Sequence, residues 1–282
     1  MNLKNSREVQ SNLVPLYLKN KRLGKVHSKF KNGLNIQFED ELIYISHIQS
    51  PLSAHGINIF RDKLQKIMEN VNIGDIVIFK ENKLVFYSTY NNIVISLEEI
   101  DKVDLRIPGI QINRREIKNT VLYGVLRDYD FKNNIGLELD DKSYRYINLL
   151  IESDKRNSKL NNEIIKFFAG RGKGLTPSGD DILTGFTIAL LAFNEENCFS
   201  NWIKDIRFIV DEKLTTEISI AYLKALTKGY LSYNFIELIY SINFKEKKII
   251  YEGIDKIKKI GHTSGNDTLF GFYLGLEFLI RN

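Results

Sequence analysis

The chain has 282 residues, of which 43% are hydrophobic and 27% charged, so it can bury a full core in one large or two ordinary domains. Its net charge of +5 comes from 40 basic and 35 acidic residues that are spread along the chain. This pattern is typical of a solvated surface and argues against a nucleic-acid-binding protein. The single cysteine, Cys198, excludes an internal disulfide framework. With no apolar run of signal or membrane-spanning length, we expect a cytoplasmic protein without a membrane partner.

Residues 1–150 are expected to form a β-rich domain. Short segments rich in Ile, Val, Tyr and Phe alternate with Asn, Gly and Asp, as in GLNIQFEDELIYISHI, GDIVIFKENKLVFYS and VLYGVLRDYDFKNNIGLEL (Val121–Leu139). Such spacing predicts antiparallel strands and hairpins in a barrel or sandwich. One segment, Ile57–Val71, has its apolar residues at helical spacing and predicts a single inserted helix.

Residues 151–282 are expected to form an all-α domain, so that the fold class is α+β. The polar stretch Glu152–Glu163 predicts a linker or the surface start of this domain. About seven helices are then predicted. They correspond to EIIKFFAG, the run after Ser178, NWIKDIRFIV, EISIAYLKALTKGYL, YNFIELIYSI, EKKIIYEGIDKIKKI and the run after Ser264.

The helical half contains an internal sequence repeat. TPSGDDILTGF (Thr176–Phe186) aligns without a gap with HTSGNDTLFGF (His262–Phe272), and six of the eleven positions are identical. Each copy places a glycine-bearing polar loop before an apolar helix. We call residues Gly170–Asp181 the first corner and Gly261–Asp267 the second corner. The repeat predicts a pseudo-symmetric pair that faces a shared site.

Helix capping is the simplest explanation of each corner. Ser178 and Ser264 are good N-cap residues, and Asp181 and Asp267 follow three residues later, as in a capping box. Capping does not require the other glycines and hydroxyls, whereas a glycine-rich loop before a helix suits a phosphate or carboxylate. We therefore expect a small anionic substrate at Gly172, Lys173, Gly174, Thr176, Ser178, Gly179, Thr263, Ser264, Gly265 and Asn266.

Three carboxylates of the corners are candidate catalytic groups: Asp180, Asp181 and Asp267. They would suit Mg²⁺, the orientation of a substrate amide, or general base catalysis, and the residues alone do not choose among these roles. GRGKGLT lacks the Gly-Lys-Ser/Thr ending of a Walker P-loop, which argues against an ordinary nucleotide site. In LTTEIS (Leu214–Ser219), another N-cap is predicted.

GRGKGLTPSGDDILTG (Gly170–Gly185) followed by GHTSGNDTLFG (Gly261–Gly271) resembles the AllH-like family, a domain of unknown function associated with oxamate carbamoyltransferase. The resemblance covers the helical half. It implies a subunit that works beside other proteins and moves a carbamoyl group between oxamate or oxalurate and phosphate, in purine or allantoin breakdown. A non-catalytic metabolite-binding or assembly subunit is the alternative.

Overall fold

A computed structural model describes residues 7–88, 91–110, 112–152, 157–193 and 196–281, without the side chains of 196–200 and 211. The described chain divides into two compact units. A sheet unit contains the residues up to Arg106 together with Tyr230–Tyr233, and a helical unit contains Ile107–Gly229 and the residues from Asn234 onward. The predicted α+β class is confirmed.

The sheet unit consists mainly of nine strands within the described residues. They are β1 (Val9–Ser11), β2 (Leu23–Phe30), β3 (Gly33–Phe38), β4 (Glu41–His47), β5 (Gly56–Ile59), β6 (Ile76–Lys80), β7 (Lys83–Tyr87), β8 (Asn92–Ser96) and β9 (Asp101–Val103). Two helices accompany them, α1 (Val14–Leu18) and α2 (Arg61–Asn70).

These strands form one sheet in the order β8-β7-β6-β2-β3-β4-β5-β1-β9, which curls into a half-barrel. The predicted hairpins are present, with Phe38 opposite Glu41 in β3–β4 and Lys80 opposite Lys83 in β6–β7. The pairs β4–β5 and β1–β9 are parallel, so the sheet is mixed. Alternating residues such as Ile36, Ile43 and Phe86 are fully buried, as strands with one covered face require.

The helical unit begins with α3 (Arg114–Ile117), α4 (Val121–Arg127), α5 (Asp141–Ile151) and α6 (Ser158–Phe168). It continues with α7 (Ser178–Ala192), α8 (Glu196–Asp211), α9 (Glu217–Thr227), α10 (Tyr233–Tyr240), a 3₁₀ turn (Ser241–Asn243), α11 (Lys247–Lys258) and α12 (Ser264–Arg281). All seven helices predicted after residue 150 are present. The most extensive packing in the unit joins α7 to α12, the helices that follow the two corners.

One prediction in the first half was wrong, and a second, which is confirmed as a helix, was wrong only about where that helix begins. Val121–Leu139 does not form strands: α4 occupies its beginning, capped by the Thr120 side chain, which accepts from Tyr123 N at 3.2 Å. Leu122, Val125 and Leu126 lie at helical spacing and are buried, a pattern hidden by the strand-forming composition. The helical unit accordingly begins at Ile107. In Ile57–Val71 the first residues belong to β5, and only the remainder forms α2.

Residues 153–156 of the predicted linker and the Cys198 side chain lie outside the described part of the chain. Over the part that is described, we find no helix with the length and apolar character needed to cross a membrane.

Candidate functional site

Ser178 and Ser264 are the first residues of α7 and α12, and Ser178 does not have the capping role that was predicted for it. The N-cap of α7 is Pro177, with no side-chain capping bond. Ser264 Oγ instead lies 2.8 Å from Thr176 Oγ1, so a hydrogen bond links the second corner to the first. The capping explanation is wrong for Ser178 because its side chain is directed to a different partner.

That partner is the carboxyl group of the opposite corner. The Ser178 hydroxyl, in the first corner, lowers the pKa of Asp267 in the second, and the Ser264 hydroxyl lowers the pKa of Asp181 in the first. A threonine hydroxyl of the same corner acts on each carboxyl in the same direction, Thr176 on Asp181 and Thr263 on Asp267. The sequence repeat is therefore a structural repeat in which hydroxyl groups of both corners surround the two carboxyl groups.

Asp181 and Asp267 are held in surroundings that favour their neutral form. Burial raises the pKa of Asp181 well above its ordinary value, and the negative charge of Asp267 raises it further, against the lowering effect of the Ser264 hydroxyl. Burial also raises the pKa of Asp267, which is fully buried. The Oδ2 atoms of both residues are buried and accept no hydrogen bond of ordinary geometry from the described residues. A neutral carboxyl pair can donate protons as well as accept them.

Gly136 belongs to this cluster, although sequence analysis did not single it out. Its N–H donates to Asp267 Oδ1 at 2.8 Å. A Cβ added to Gly136 would lie 2.4 Å from Ser178 Oγ, 2.5 Å from Thr263 Oγ1 and 3.2 Å from Asp267 Oδ2. Only a glycine lets the backbone approach these three oxygen atoms so closely. The residue was missed because Val121–Leu139 was predicted to form strands of another domain.

Asp180 lies beside the pair but has different partners. Its Oδ1 accepts from Gly170 N at 2.8 Å, and its Oδ2 accepts from the Thr215 hydroxyl. Burial raises the pKa of Asp180, and the hydrogen bonds from Thr215 and Gly170 act against that rise. The predicted N-cap in LTTEIS is confirmed at Thr216, which accepts from Ser219 N at 3.1 Å. Asp180 thus ties the first corner to the start of α9.

The backbone conformation of the loop in the first corner depends on its glycines. Gly172 has a φ of 120°, and a Cβ there would lie 2.6 Å from Ser178 N. Lys173 and Gly174 are exposed. Arg171 donates from Nε to Phe167 O at 2.9 Å and lies over the Phe167 ring, so its charge is directed along α6.

Backbone amides at the two helix starts are engaged within the corners. Gly179 N donates to Arg171 O at 2.8 Å, and Gly265 N donates to Ile260 O at 3.1 Å. Asn266, which aligns with Asp180, accepts from the Tyr129 hydroxyl at 2.9 Å. The Gly179 and Gly265 amides are therefore already hydrogen-bonded within the corners. No three or more His, Cys, Asp or Glu side chains in the described residues are grouped so that they could hold a metal ion.

Two family models match this chain. The AllH family N-terminal domain matches residues 6–102, within the sheet unit, and the oxamate carbamoyltransferase subunit AllH matches residues 168–276, which include both corners. The fold and these matches define a two-part subunit protein, with a sheet unit and a helical unit that carries the candidate site. The chain belongs to the AllH family. No solved structure matches it.

Proposed function

We propose that this protein is a catalytic subunit of an oxamate carbamoyltransferase complex and that the two corners together bind and activate its substrate. The contact between the two corners carries this proposal. The hydrogen bond between Thr176 and Ser264 joins them, and the hydroxyls of Ser178 and Ser264 act on the carboxyl group of the opposite corner, so that one centre is built from both copies of the repeat. The family description supports the subunit role and, with it, partnership with the other subunits of the complex.

The donors of the corners suit a small carboxylate and amide substrate. Oxamate and oxalurate carry a carboxylate beside amide groups, which both accept and donate hydrogen bonds. Hydroxyl groups adapt to either role, whereas a neutral carboxyl offers one donor and an acceptor. Thr176, Ser178, Thr263 and Ser264 are the binding groups in this proposal, and Gly172, Gly179 and Gly265 allow the close packing that positions them.

In the reaction, a phosphate oxygen attacks the carbamoyl carbon of oxalurate, and a carbon–oxygen bond forms. The bond from that carbon to the oxamate nitrogen breaks, and the nitrogen must receive a proton. A neutral Asp181 carboxyl donates this proton, and in the reverse reaction its carboxylate takes the proton from the attacking nitrogen. The raised pKa of Asp181 supports this assignment, since a general acid must be protonated near neutral pH. When Asp267 is ionised, its negative charge raises the pKa of Asp181 further and so favours the protonated acid.

Asp180 has a positioning role in this scheme. Its bonds to Gly170 N and the Thr215 hydroxyl fix the loop that carries Thr176, and it does not touch the substrate. Lys173 and Gly174 lie exposed at the edge of the same loop, where the lysine adds positive charge for an approaching anion. The products of the reaction would enter a step of purine or allantoin breakdown.

Steady-state assays of the assembled complex test the proposal. Carbamoyl phosphate formed from oxalurate and phosphate is measured with wild-type protein and with Asp181→Asn, which keeps the shape of the neutral carboxyl but cannot act as an acid. Loss of general acid catalysis should lower kcat by about 100-fold or more, with a smaller change in KM.

Asp128→Asn provides the matched control, because Asp128 is an exposed carboxylate of the same unit whose partner is the neighbouring Arg127. Its kcat should equal that of the wild type. Full activity of the Asp181→Asn complex would exclude the catalytic role and leave a binding or assembly role for the corners.

A further inference from the structure

A row of apolar residues crosses four strands of the sheet unit. Leu23 in β2 lies opposite Ile78 in β6, Ile78 opposite Val85 in β7, and Val85 opposite Val94 in β8. Leu23 is 65% exposed and Val94 is 54% exposed, and Ile78 and Val85 between them are half-buried. Directly opposed residues in adjacent strands share one face of a sheet, so the four side chains form a continuous row of about 14 Å.

The residues that alternate with this row point into the core. Val77, Leu84 and Phe86 are fully buried on the other face of β6 and β7. The row therefore lies on the face that the core does not cover. Alternation of this kind usually places polar residues on the open face, so a run of branched apolar side chains there needs an explanation.

One lysine lies on one side of the row and two lie on the other. Lys25, two residues after Leu23, lies opposite the half-exposed Ile76, and Lys80 lies opposite Lys83 on the other side. Glu81 is the acidic neighbour of Lys80, at 3.2 Å, and Asp75 is turned to accept from Asn72 N at 2.7 Å. The border therefore contains three lysines and one glutamate, which is ion-paired with one of them, and its net charge is positive.

We propose that this row, formed by Leu23, Ile78, Val85 and Val94, is the docking surface for a different subunit of the carbamoyltransferase complex, one with an apolar patch bordered by carboxylates. An apolar centre with a charged rim is the usual form of a specific interface. The family description names a subunit, so a partner chain exists to cover the surface. The inference does not depend on the carbamoyl transfer chemistry proposed for the corners.

A second copy of this chain fits the surface poorly. Pairing of two copies through the same face would place lysine-bordered rims against each other, because Lys25 lies on one side of the row and Lys83 on the other. Like charges across an interface oppose association, whereas an acidic rim would favour it and speed the encounter.

Binding of the purified full chain to each of the other subunits of its own complex tests the proposal, by titration calorimetry and by light scattering of the mixture. Val94→Asp and Val85→Asp each place a carboxylate in the row. Both should weaken binding at least tenfold, and raising the salt concentration should slow wild-type association.

Leu16→Asp is the control, because Leu16 is 56% exposed on α1 and lies outside the row. It should leave the affinity unchanged, and circular dichroism should confirm that all variants are folded. The proposal is overturned if neither row variant weakens binding, if no other subunit binds the wild type, or if the chain alone forms a dimer that Val94→Asp dissociates. Because binding is measured without substrate, these results are independent of activity at the corners.

Discussion

Gly185 of α7 and Gly271 of α12 make equivalent contacts where the two helices cross. A Cβ on Gly185 would lie 1.9 Å from Thr268 O, and a Cβ on Gly271 would lie 2.0 Å from Ile182 O. In the repeat, Gly185 aligns with Gly271 and Ile182 with Thr268. The two helices therefore touch through their backbones in a nearly two-fold manner, which brings their first turns together at the site.

Replacement of either glycine by alanine should destabilise the protein strongly. The new methyl group meets backbone atoms that cannot move without separating the helices, so we expect Gly185→Ala and Gly271→Ala each to lower the free energy of unfolding by about 3 kcal/mol or more. Urea denaturation followed by circular dichroism measures this. Gly124→Ala, in α4, is the control, since nothing lies within 4 Å of a Cβ there. It should be neutral or stabilising by up to about 1 kcal/mol, and equal losses at Gly124 and Gly185 would refute the backbone contact.

The raised pKa of Asp181 predicts a particular dependence of stability on pH. The stability that its neutral form contributes is complete below about pH 4, the ordinary carboxyl value, and is lost as the pH rises through the raised pKa. Asp181→Asn stays neutral, so it should match the wild type at low pH and become relatively more stable as the pH rises. Urea denaturation across this pH range tests the sign. A relative loss of stability with rising pH would show that Asp181 is held as a stabilised carboxylate.

Gly136→Ala should disturb the corners without removing any of their functional side chains. The added methyl group would lie against Ser178 Oγ and Thr263 Oγ1 and would push the Gly136 N–H away from Asp267. We expect a loss of about 1–3 kcal/mol in stability and a fall in kcat of the complex. Gly109→Ala is the control because its Cβ position is open. Wild-type stability and activity in Gly136→Ala would mean that this segment does not pack on the site as described.

The bond between Thr215 and Asp180 can be tested by two replacements that differ in one group. Thr215→Val keeps the size but leaves a buried carboxyl oxygen without its hydroxyl donor, and should cost about 1–3 kcal/mol. Thr215→Ser retains the hydroxyl and should recover most of that loss. Thermal denaturation compares the two proteins. If valine and serine behave alike, the hydroxyl does not bind Asp180 in solution.

Hydrophobic periodicity was sufficient to predict α6 to α12 and the hairpins of the sheet. The prediction was wrong at Val121–Leu139, because it followed the strand-like composition of this segment and not the helical spacing of Leu122, Val125 and Leu126. The parallel pairing of β1 with β9 also lay beyond local pattern, because paired residues such as Val9 and Asp101 are distant in sequence. Local sequence patterns therefore predicted the helices and strands better than they predicted which strands pair.

The repeat in sequence identified two loops of corresponding structure, but the N-cap role predicted for Ser178 was wrong. Ser178 and Ser264 fit the N-cap pattern, yet their hydroxyls act on the carboxyl groups of the other corner. Nothing local marks such an arrangement, since it depends on how α7 and α12 cross. The role of Gly136 could not be predicted from the sequence either. It becomes apparent only from the three oxygen atoms that lie close to this glycine in the folded protein.

The pairing of α7 with α12 has a consequence for folding during synthesis. Four helices, α8 to α11, are synthesised between these two, so α7 emerges from the ribosome well before its main packing partner exists. Most residues of α7 are buried in the finished protein and are apolar. The nascent chain therefore carries α7 without its main packing partner while α8 to α11 are synthesised, and the face that α12 later covers is open to chaperones during that time.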